Sequence, residues 1–487
     1  MNHSIIRNTT HHAFHFDAAA CSGCKACQVA CKDKHGLEVG RLWRRVYEVS
    51  GGDWRQVGNA WVPDIYAYHL SMACNHCDLP ICAEVCPARA ISRRDDGIVL
   101  IDPDRCLGCG YCDWACPYGA PQYDAAAGKM TKCTFCVDEI DAGRPPACVT
   151  ACPMRVLEFG EHQVEDDQAV PHPLPPRQLT EPALVIAAHR DSERAAPTSA
   201  RVTPALRREL REWSLVAFTL LSQLAAGIVL VFGIVQSAVR DRGAATAFDQ
   251  LSDNAVGVAA IAMVLGLGIS LLHLGSPRRA WRALLNLRSS WLSREVLLAA
   301  MFTGGLVALF TMLRFEAGAA WMQQWLLWLT ACLGLLLVMI MSRLYMLRTV
   351  AAWNSSATAG TFIVTTLFLG CVVLQTISWC DLSLDRAGQT VASRSILVGV
   401  ARSLAVMAIL MLGMSRLFIR RAEIGPTLNR RRRGLGLLGG ICLGTLALLP
   451  SAGIVHEAIL TSLALPAVMI VGWIAVLERS VFFRTYK

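Results

Sequence analysis

From residue 206 onward, long apolar stretches alternate with short polar ones. Eight of them reach the roughly 20 residues that a membrane-spanning helix needs: 213–237, 255–274, 295–314, 321–342, 359–379, 395–417, 434–455 and 458–477. Residues 1–160 contain no such run. Short β-forming segments stand there between turn residues. Trp43, Val46, Tyr47 and Val49 precede Gly51-Gly52-Asp53, and Trp61, Val62, Ile65, Tyr66 and Tyr68 follow it, which predicts a hairpin. Asp96-Gly97 between 90–94 and 98–101 predicts a second. Prolines 171, 173, 175, 176, 182, 197 and 204 predict an extended linker. The pattern divides the chain into an α+β domain over 1–160, a proline-rich linker over 161–205, and an all-α eight-helix transmembrane bundle over 206–487.

Charge sharpens this division. The formal net charge is +9, but residues 1–205 hold 20 Lys and Arg against 25 Asp and Glu, whereas 206–487 hold 26 against 12. The excess arginines punctuate apolar runs, so the partner they indicate is a lipid bilayer and not nucleic acid. They concentrate in 275–294, 343–358 and 416–433, on one side of the expected bundle. The positive-inside rule then puts both termini in the cytoplasm. Residues 1–20 show no secretory pattern. The expectation is a multi-pass protein of the inner (cytoplasmic) membrane with residues 1–160 on the cytoplasmic side.

Sixteen of the 20 cysteines fall between 21 and 152, in four groups of four. They are Cys21, Cys24, Cys27, Cys31; Cys74, Cys77, Cys82, Cys86; Cys106, Cys109, Cys112, Cys116; and Cys133, Cys136, Cys148, Cys152. The first and third groups read C-x2-C-x2-C-x3-C, the spacing that carries [4Fe–4S] cubes in ferredoxins. Three sulfurs serve one cube and the fourth serves its neighbour. Pro87, Pro117 and Pro153 follow the fourth cysteine of three groups and end the local turn. A disulfide scaffold has no reason for the three-plus-one repeat. Zinc has no use for a third cysteine two residues on. The fold expected is a double ferredoxin-like domain with four clusters. Lys25, Lys32, Arg105 and Lys132 flank ligands and can raise cluster potentials. His76 reads as a neighbour of its group and not a ligand, and His11, His12 and His15 as part of a loose terminus. Cys332, Cys371, Cys380 and Cys442 lack motif spacing and read as packing residues.

Spacing alone leaves open whether the groups pair one with four and two with three, or one with two and three with four. Cys24-Lys-Ala-Cys-Gln-Val-Ala-Cys-Lys-Asp33, Gly51-Gly-Asp-Trp54, Cys74-Asn-His-Cys77, Ala115-Cys-Pro-Tyr-Gly-Ala-Pro-Gln-Tyr123, Met130-Thr-Lys-Cys133 and Leu179-Thr-Glu-Pro-Ala-Leu-Val-Ile186 resemble the iron–sulfur subunit of the dimethyl sulfoxide reductase family. That resemblance implies the first pairing. One cube then takes Cys21, Cys24, Cys27 and Cys152, and its neighbour Cys133, Cys136, Cys148 and Cys31. A third takes Cys74, Cys77, Cys82 and Cys116, and the fourth Cys106, Cys109, Cys112 and Cys86. It also implies a separate molybdopterin catalytic subunit as partner. In a related nitrate reductase branch an aromatic residue replaces one ligand of the third group; Cys109 in that slot favours four [4Fe–4S] clusters here.

In residues 206–487 the histidines are His273, at the end of the second span, and His456, after the seventh. At opposite faces they make no bis-histidine pair, so no haem is expected. A quinol would then be handled at the inner face, beside the clusters. His273 and Glu295 bracket a polar loop there and are suited to accept protons from a quinol, with Ser293 read as a helix cap. The stretch 273–295 also resembles the anchor subunit of the same family, whose menaquinol site maps onto His273, Gly275, Arg279 and Glu295. The departure is that both subunits share one chain, which raises their effective concentration. The reading is an electron-transfer and anchor subunit of a membrane molybdopterin oxidoreductase. It passes electrons between the quinone pool (menaquinol or ubiquinol) and a catalytic subunit, and has no molybdopterin site of its own. The same wiring in reverse, fed by a cytoplasmic sulfite-oxidising enzyme, is the alternative. A cluster-coupled transporter is a third reading and needs mid-membrane charge, for which Arg402 is the candidate; a colourless zinc-binding scaffold is a fourth.

Overall fold

The computed structural model describes residues 11–162, 174–194, 209–239, 245–350 and 353–384, with Val476 and Arg479. It forms two compact units. One gathers the described residues up to Arg194 together with Leu274–Ser290; the other holds Glu209–His273 and the described residues from Trp291 on.

The first unit is built from short elements because its chain must return to a cysteine every few residues. Strand β1 (His12–Asp17) is the centre of a three-stranded sheet. It pairs antiparallel with β10 (Leu157–Glu161) and parallel with β11 (Leu184–Ala187), in the register Phe14↔Phe159 and Phe14↔Leu184. This overturns two expectations. His12 and His15 are strand residues, and buried His11 lies 3.1 Å from the Asp78 carboxylate, so the terminus is docked from residue 11. Within the expected linker, 174–194 is part of the cluster unit. Apolar Leu184, Val185 and Ile186 supply a strand that outweighs the surrounding prolines.

The first expected hairpin proves to be two ribbons in series. Strand β2 (Arg45–Gly51) pairs with β5 (Tyr66–Met72), and β3 (Trp54–Val57) with β4 (Ala60–Pro63) beyond them. Gly51-Gly52-Asp53 is the junction and not the turn. Gly52 has φ of 92°, and a Cβ there would stand 1.9 Å from the Asp64 carbonyl oxygen. The second hairpin forms as expected, β6 (Ile91–Arg93) on β7 (Val99–Ile101), with Gly97 at φ 86°. A third, β8 (Gln122–Asp124) on β9 (Lys129–Thr131), was not legible in the pattern. Phe14, Val49, Tyr68, Leu70, Ile98, Phe135 and Leu157 form the core among the cysteines, with the Phe14 and Phe135 rings edge to face at 4.6 Å.

Five short helices complete this unit: α1 (Ala26–Lys34), α2 (Ile81–Glu84), α3 (Tyr111–Ala115), α4 (Val137–Asp141) and α5 (Ala147–Thr150). The second unit contains α6 (Glu209–Val239), α7 (Ala245–Ser270, continued by a 3₁₀ turn to His273), α8 (Trp291–Arg314), α9 (Ala320–Tyr345) and α10 (Ser356–Leu384). Each has an apolar stretch long enough to cross a membrane, matching the first five expected spans. The expected spans 395–417, 434–455 and 458–477, with Arg402, Cys442 and His456, lie outside the described residues. Helix α8 starts four residues before the expected span, so buried Ser293 lies inside it and is not its cap.

Helices α6 and α10 cross through glycines. A Cβ on Gly227 would stand 2.0 Å from the Thr366 carbonyl oxygen, and one on Gly370 2.3 Å from the Gly227 carbonyl carbon. With hydrocarbon solvating the outside, the packing that close backbone approach allows contributes to helix cohesion. Gly227→Leu is therefore expected to destabilise the bundle by at least about 1–3 kcal/mol, read as a lower unfolding midpoint in detergent; an unchanged midpoint contradicts this crossing.

Candidate metal centres

The four cysteine groups repeat one backbone motif. The residue before each second cysteine is left-handed: Gly23 (φ 69°), His76 (43°), Gly108 (68°) and Phe135 (60°). For His76 and Phe135 this conformation is uphill by about 1–2 kcal/mol. It turns the amide inward, and the N–H groups of Gly108 and Phe135 donate to Cys106 Sγ and Cys133 Sγ, each at 3.4 Å. The last two cysteines of every group bracket one helical turn, on α1, α2, α3 and α5. In three groups the chain then closes a turn onto the fourth cysteine's carbonyl, through left-handed Arg89 (3.3 Å), Gly119 (3.2 Å) and Arg155 (3.3 Å).

These turns gather cysteines from distant groups. Cys21, Cys24, Cys27 and Cys152 line one cavity, with Lys25 and Ser71. Cys74, Cys77, Cys82 and Cys116 line another, with His76, Tyr118, Lys132 and Thr180. Cys31 lies in the electrostatic field of Cys148 and Cys136, and Cys133 in that of Cys31, Cys74 and Cys148. Cys112 feels Cys109, Cys86, Cys82 and Cys106. Group one thus lies with group four, and group two with group three.

Burial pushes the thiols of Cys31, Cys82, Cys109 and Cys116 up to about 12, with neighbouring sulfurs adding to the rise. Thiolates here need a cationic core to offset their charge. Among the described residues no three His, Cys, Asp or Glu side chains are placed to hold a single metal ion. Zinc would draw four ligands to about 2.0–2.3 Å from one point. A cube instead binds each sulfur at its own corner, so its ligands stand around a volume. The four-cysteine cavities fit the cube.

His76 is buried; its Nδ1 accepts from the Val99 N–H at 2.9 Å, and its ring stacks on Phe135. Burial and the Lys132 charge hold it well below the usual histidine range. Lys132 is buried with Nζ on the carbonyls of Val99 (2.5 Å) and Cys133 (3.0 Å), whereas Arg105 is exposed beside Asp102. Lys32 caps the Leu37 carbonyl. Sequence reasoning missed His35, whose Nε2 lies 3.4 Å from Cys136 Sγ. Its signal was its place four residues past Cys31, at the end of α1.

The stretch 274–290 belongs to this unit although both its flanks belong to the other. Asn286 Nδ2 donates to the Cys86 carbonyl at 2.9 Å, Ser290 Oγ to that of Val85 at 2.8 Å, and Ser289 Oγ to that of Glu84 at 2.9 Å. The Ser276 N–H donates to Leu107 O at 3.1 Å. Arg279 Nη1 donates to Asp104 O at 2.8 Å, and Arg282 to the same oxygen. Gly275 packs backbone to backbone: a Cβ on it would stand 1.8 Å from Gly128 O, and one on Gly108 2.2 Å from the same oxygen. Two expected quinol residues, Gly275 and Arg279, thus lie against the loop of Asp104–Gly108 and against Gly128. The other two belong to the second unit. His273 ends the 3₁₀ turn after α7, and Glu295 is buried in the first turns of α8. Tyr345 of α9 lies in the field of Glu295 and of Arg479, whose guanidinium donates to Gln223 at 3.0 Å and covers the Phe362 ring at 3.9 Å. Tyr345 and Arg479 carried no motif in the sequence.

Sulfur-lined cavities on four repeated turns, joined in one chain to helices of membrane-crossing length, define an iron–sulfur protein with a membrane anchor. Residues 65–162 match a family described as a 4Fe-4S dicluster domain, and 206–423 match the DMSO reductase anchor subunit. The chain is similar to the probable anaerobic dimethyl sulfoxide reductase chain YnfG of Escherichia coli K12, 45% identical over 195 residues that cover 39% of this chain and 95% of that one. Against a chain of the anaerobic dimethyl sulfoxide reductase of the same organism the identity is 44%, with the same coverage. With a subunit of the sulfite dehydrogenase of Allochromatium vinosum it is 36% over 174 residues, covering 31% and 69%. The chain belongs to the dimethyl sulfoxide reductase family of iron–sulfur subunits, here fused to that family's anchor.

Because the metal and the fold of residues 11–194 are coupled, anaerobic removal of iron with a chelator is expected to make this unit protease-sensitive while the membrane helices keep their far-UV signal. Equal resistance of the two forms would show that the sulfur cavities are built without the metal.

Proposed function

We propose that this subunit carries four [4Fe–4S] clusters and conducts electrons from quinol to a separate molybdopterin subunit. The ligand sets are Cys21, Cys24, Cys27, Cys152; Cys31, Cys133, Cys136, Cys148; Cys74, Cys77, Cys82, Cys116; and Cys86, Cys106, Cys109, Cys112. Each cluster, when bound, takes up and releases one electron at a time. The chain's own residues hold the sulfurs, direct amide N–H groups at them and exclude water.

The observation that carries the proposal is Asn286 on the Cys86 carbonyl, with Gly275 seated between the loops of Gly108 and Gly128. It supports the set containing Cys86 and Cys109 as the point where electrons enter. We assign quinol binding to His273, Gly275, Arg279 and Glu295. His273 and Glu295 are the proton acceptors. Gly275 keeps the backbone low, and Arg279, tied to Asp104, fixes the loop. Quinol, menaquinol or ubiquinol, is oxidised at the cytoplasmic face of the membrane, the cluster unit is on that same side, and no haem takes part. The complete bundle has eight helices.

Similarity over 95% of a sulfoxide reductase chain supports electron flow toward a reductase. The similarity to a sulfite dehydrogenase subunit supports the reverse direction as a second reading. Purified with its catalytic partner, the complex is expected to reduce a sulfoxide with quinol; oxidation of sulfite with reduction of quinone would select the second reading.

His273→Ala and Glu295→Gln are each expected to lower quinol-driven cluster reduction at least about 100-fold, with reduction by dithionite unchanged, read by electron paramagnetic resonance. Normal quinol oxidation in both refutes the site. About sixteen irons per chain, four for each ligand set, and no b-type optical spectrum are expected; far fewer irons, or such a spectrum, would overturn the wiring.

A further inference from the structure

Arg44, immediately before β2, is 1% exposed and one of the largest fully buried side chains in the described structure. Its guanidinium stands over the Phe14 ring, 4.2 Å from the centroid. Nη1 donates to the carbonyl and hydroxyl oxygens of Ser71, both at 3.1 Å. Nε and Nη2 have no hydrogen-bond partner, and among the described residues no carboxylate pairs with Arg44. An isolated buried guanidinium is strongly unfavourable. Buried Lys132 differs: its ammonium rests on two carbonyls.

The opposite charge comes from sulfur. Burial acts against the charged form of Arg44, and Cys148, Cys133, Cys27 and Cys31 act for it, so that its affinity for its proton is raised. Cys27 belongs to the first ligand set, and Cys31, Cys133 and Cys148 to the second. Ser71 extends the contact. Its Oγ accepts from Arg44 and lies 3.3 Å from Cys27 Sγ. A ligating thiolate can only accept, so the hydroxyl proton is directed at the sulfur.

We propose that Arg44 is a positioning residue shared by two clusters: a fixed cation between the sets of Cys21, Cys24, Cys27, Cys152 and of Cys31, Cys133, Cys136, Cys148. It makes both easier to reduce, with Ser71 delivering a hydrogen bond to the first alone. The proposal rests on the four-cluster reading above. Each electron accepted adds one negative charge to the ligand sphere, and a buried cation stabilises that state without reorganising. Arginine suits the role because it stays charged when buried and its planar fork packs on an aromatic ring.

The test is an anaerobic potentiometric titration of the full chain in membranes, followed by electron paramagnetic resonance and iron analysis. In Arg44→Gln, two of the four midpoint potentials are expected to fall and two to stay; in Arg44→Lys the same two stay near wild type. In Ser71→Ala one potential falls. All four unchanged in an iron-replete Arg44→Gln, or all four shifted together, would overturn the proposal. Should Arg44→Gln lose iron, Ser71→Ala decides: one lowered potential supports the cation–hydroxyl relay, and none refutes it. Wild-type chain with far fewer than about sixteen irons, by the four-per-set count, is a failure of the cluster reading and is seen before any variant is made.

Discussion

Bringing many sulfurs into a protein interior is the constraint on which this structure depends. Burial opposes the thiolate, and each neighbouring sulfur opposes it further, as the raised thiols of Cys31, Cys82, Cys109 and Cys116 show. The fold answers with directed amide N–H groups on left-handed turns, with Lys132 and Arg44 as buried cations, and with cavities shaped for a positively charged inorganic core. The short helices and two-stranded ribbons of this unit follow from the same demand. A chain that must present four ligands within a few residues has no length for larger elements.

Much of this could be read from the residues. The sixteen cysteines and their spacing declared the chemistry. Asp96-Gly97 declared its hairpin because a two-residue turn acts locally. The first five apolar runs became helices because hydrocarbon imposes its thickness directly on sequence. What escaped notice was decided by partners far along the chain. His12 and Phe14 look like a loose terminus until β10 and β11, more than a hundred residues on, supply both edges of their sheet. Gly51-Gly52 resembles a turn locally, but the position of Asp64 makes it a junction. Arg44 sits in a run of cations in which only its own side chain is fully buried; no local pattern distinguishes it from Arg45.

The site divides along the same line. Spacing gave the ligand types but left their pairing open, because pairing is a property of tertiary fold. The arginines of 275–294 read as flanking charge by composition. In the structure Arg279 and Arg282 share the Asp104 carbonyl, which turns them into fasteners for the loop. Gly275 carries no chemistry of its own, and its importance is legible only from what lies against it.

The seam of Gly108, Gly128 and Gly275 has a consequence for speed. Electron tunnelling decays exponentially with the thickness of protein between donor and acceptor. Three residues without side chains let main chain meet main chain, the thinnest insulation that a polypeptide offers. In the proposed wiring the seam keeps the gap at the loop of Cys106–Cys112 narrow, and any side chain added there would widen it.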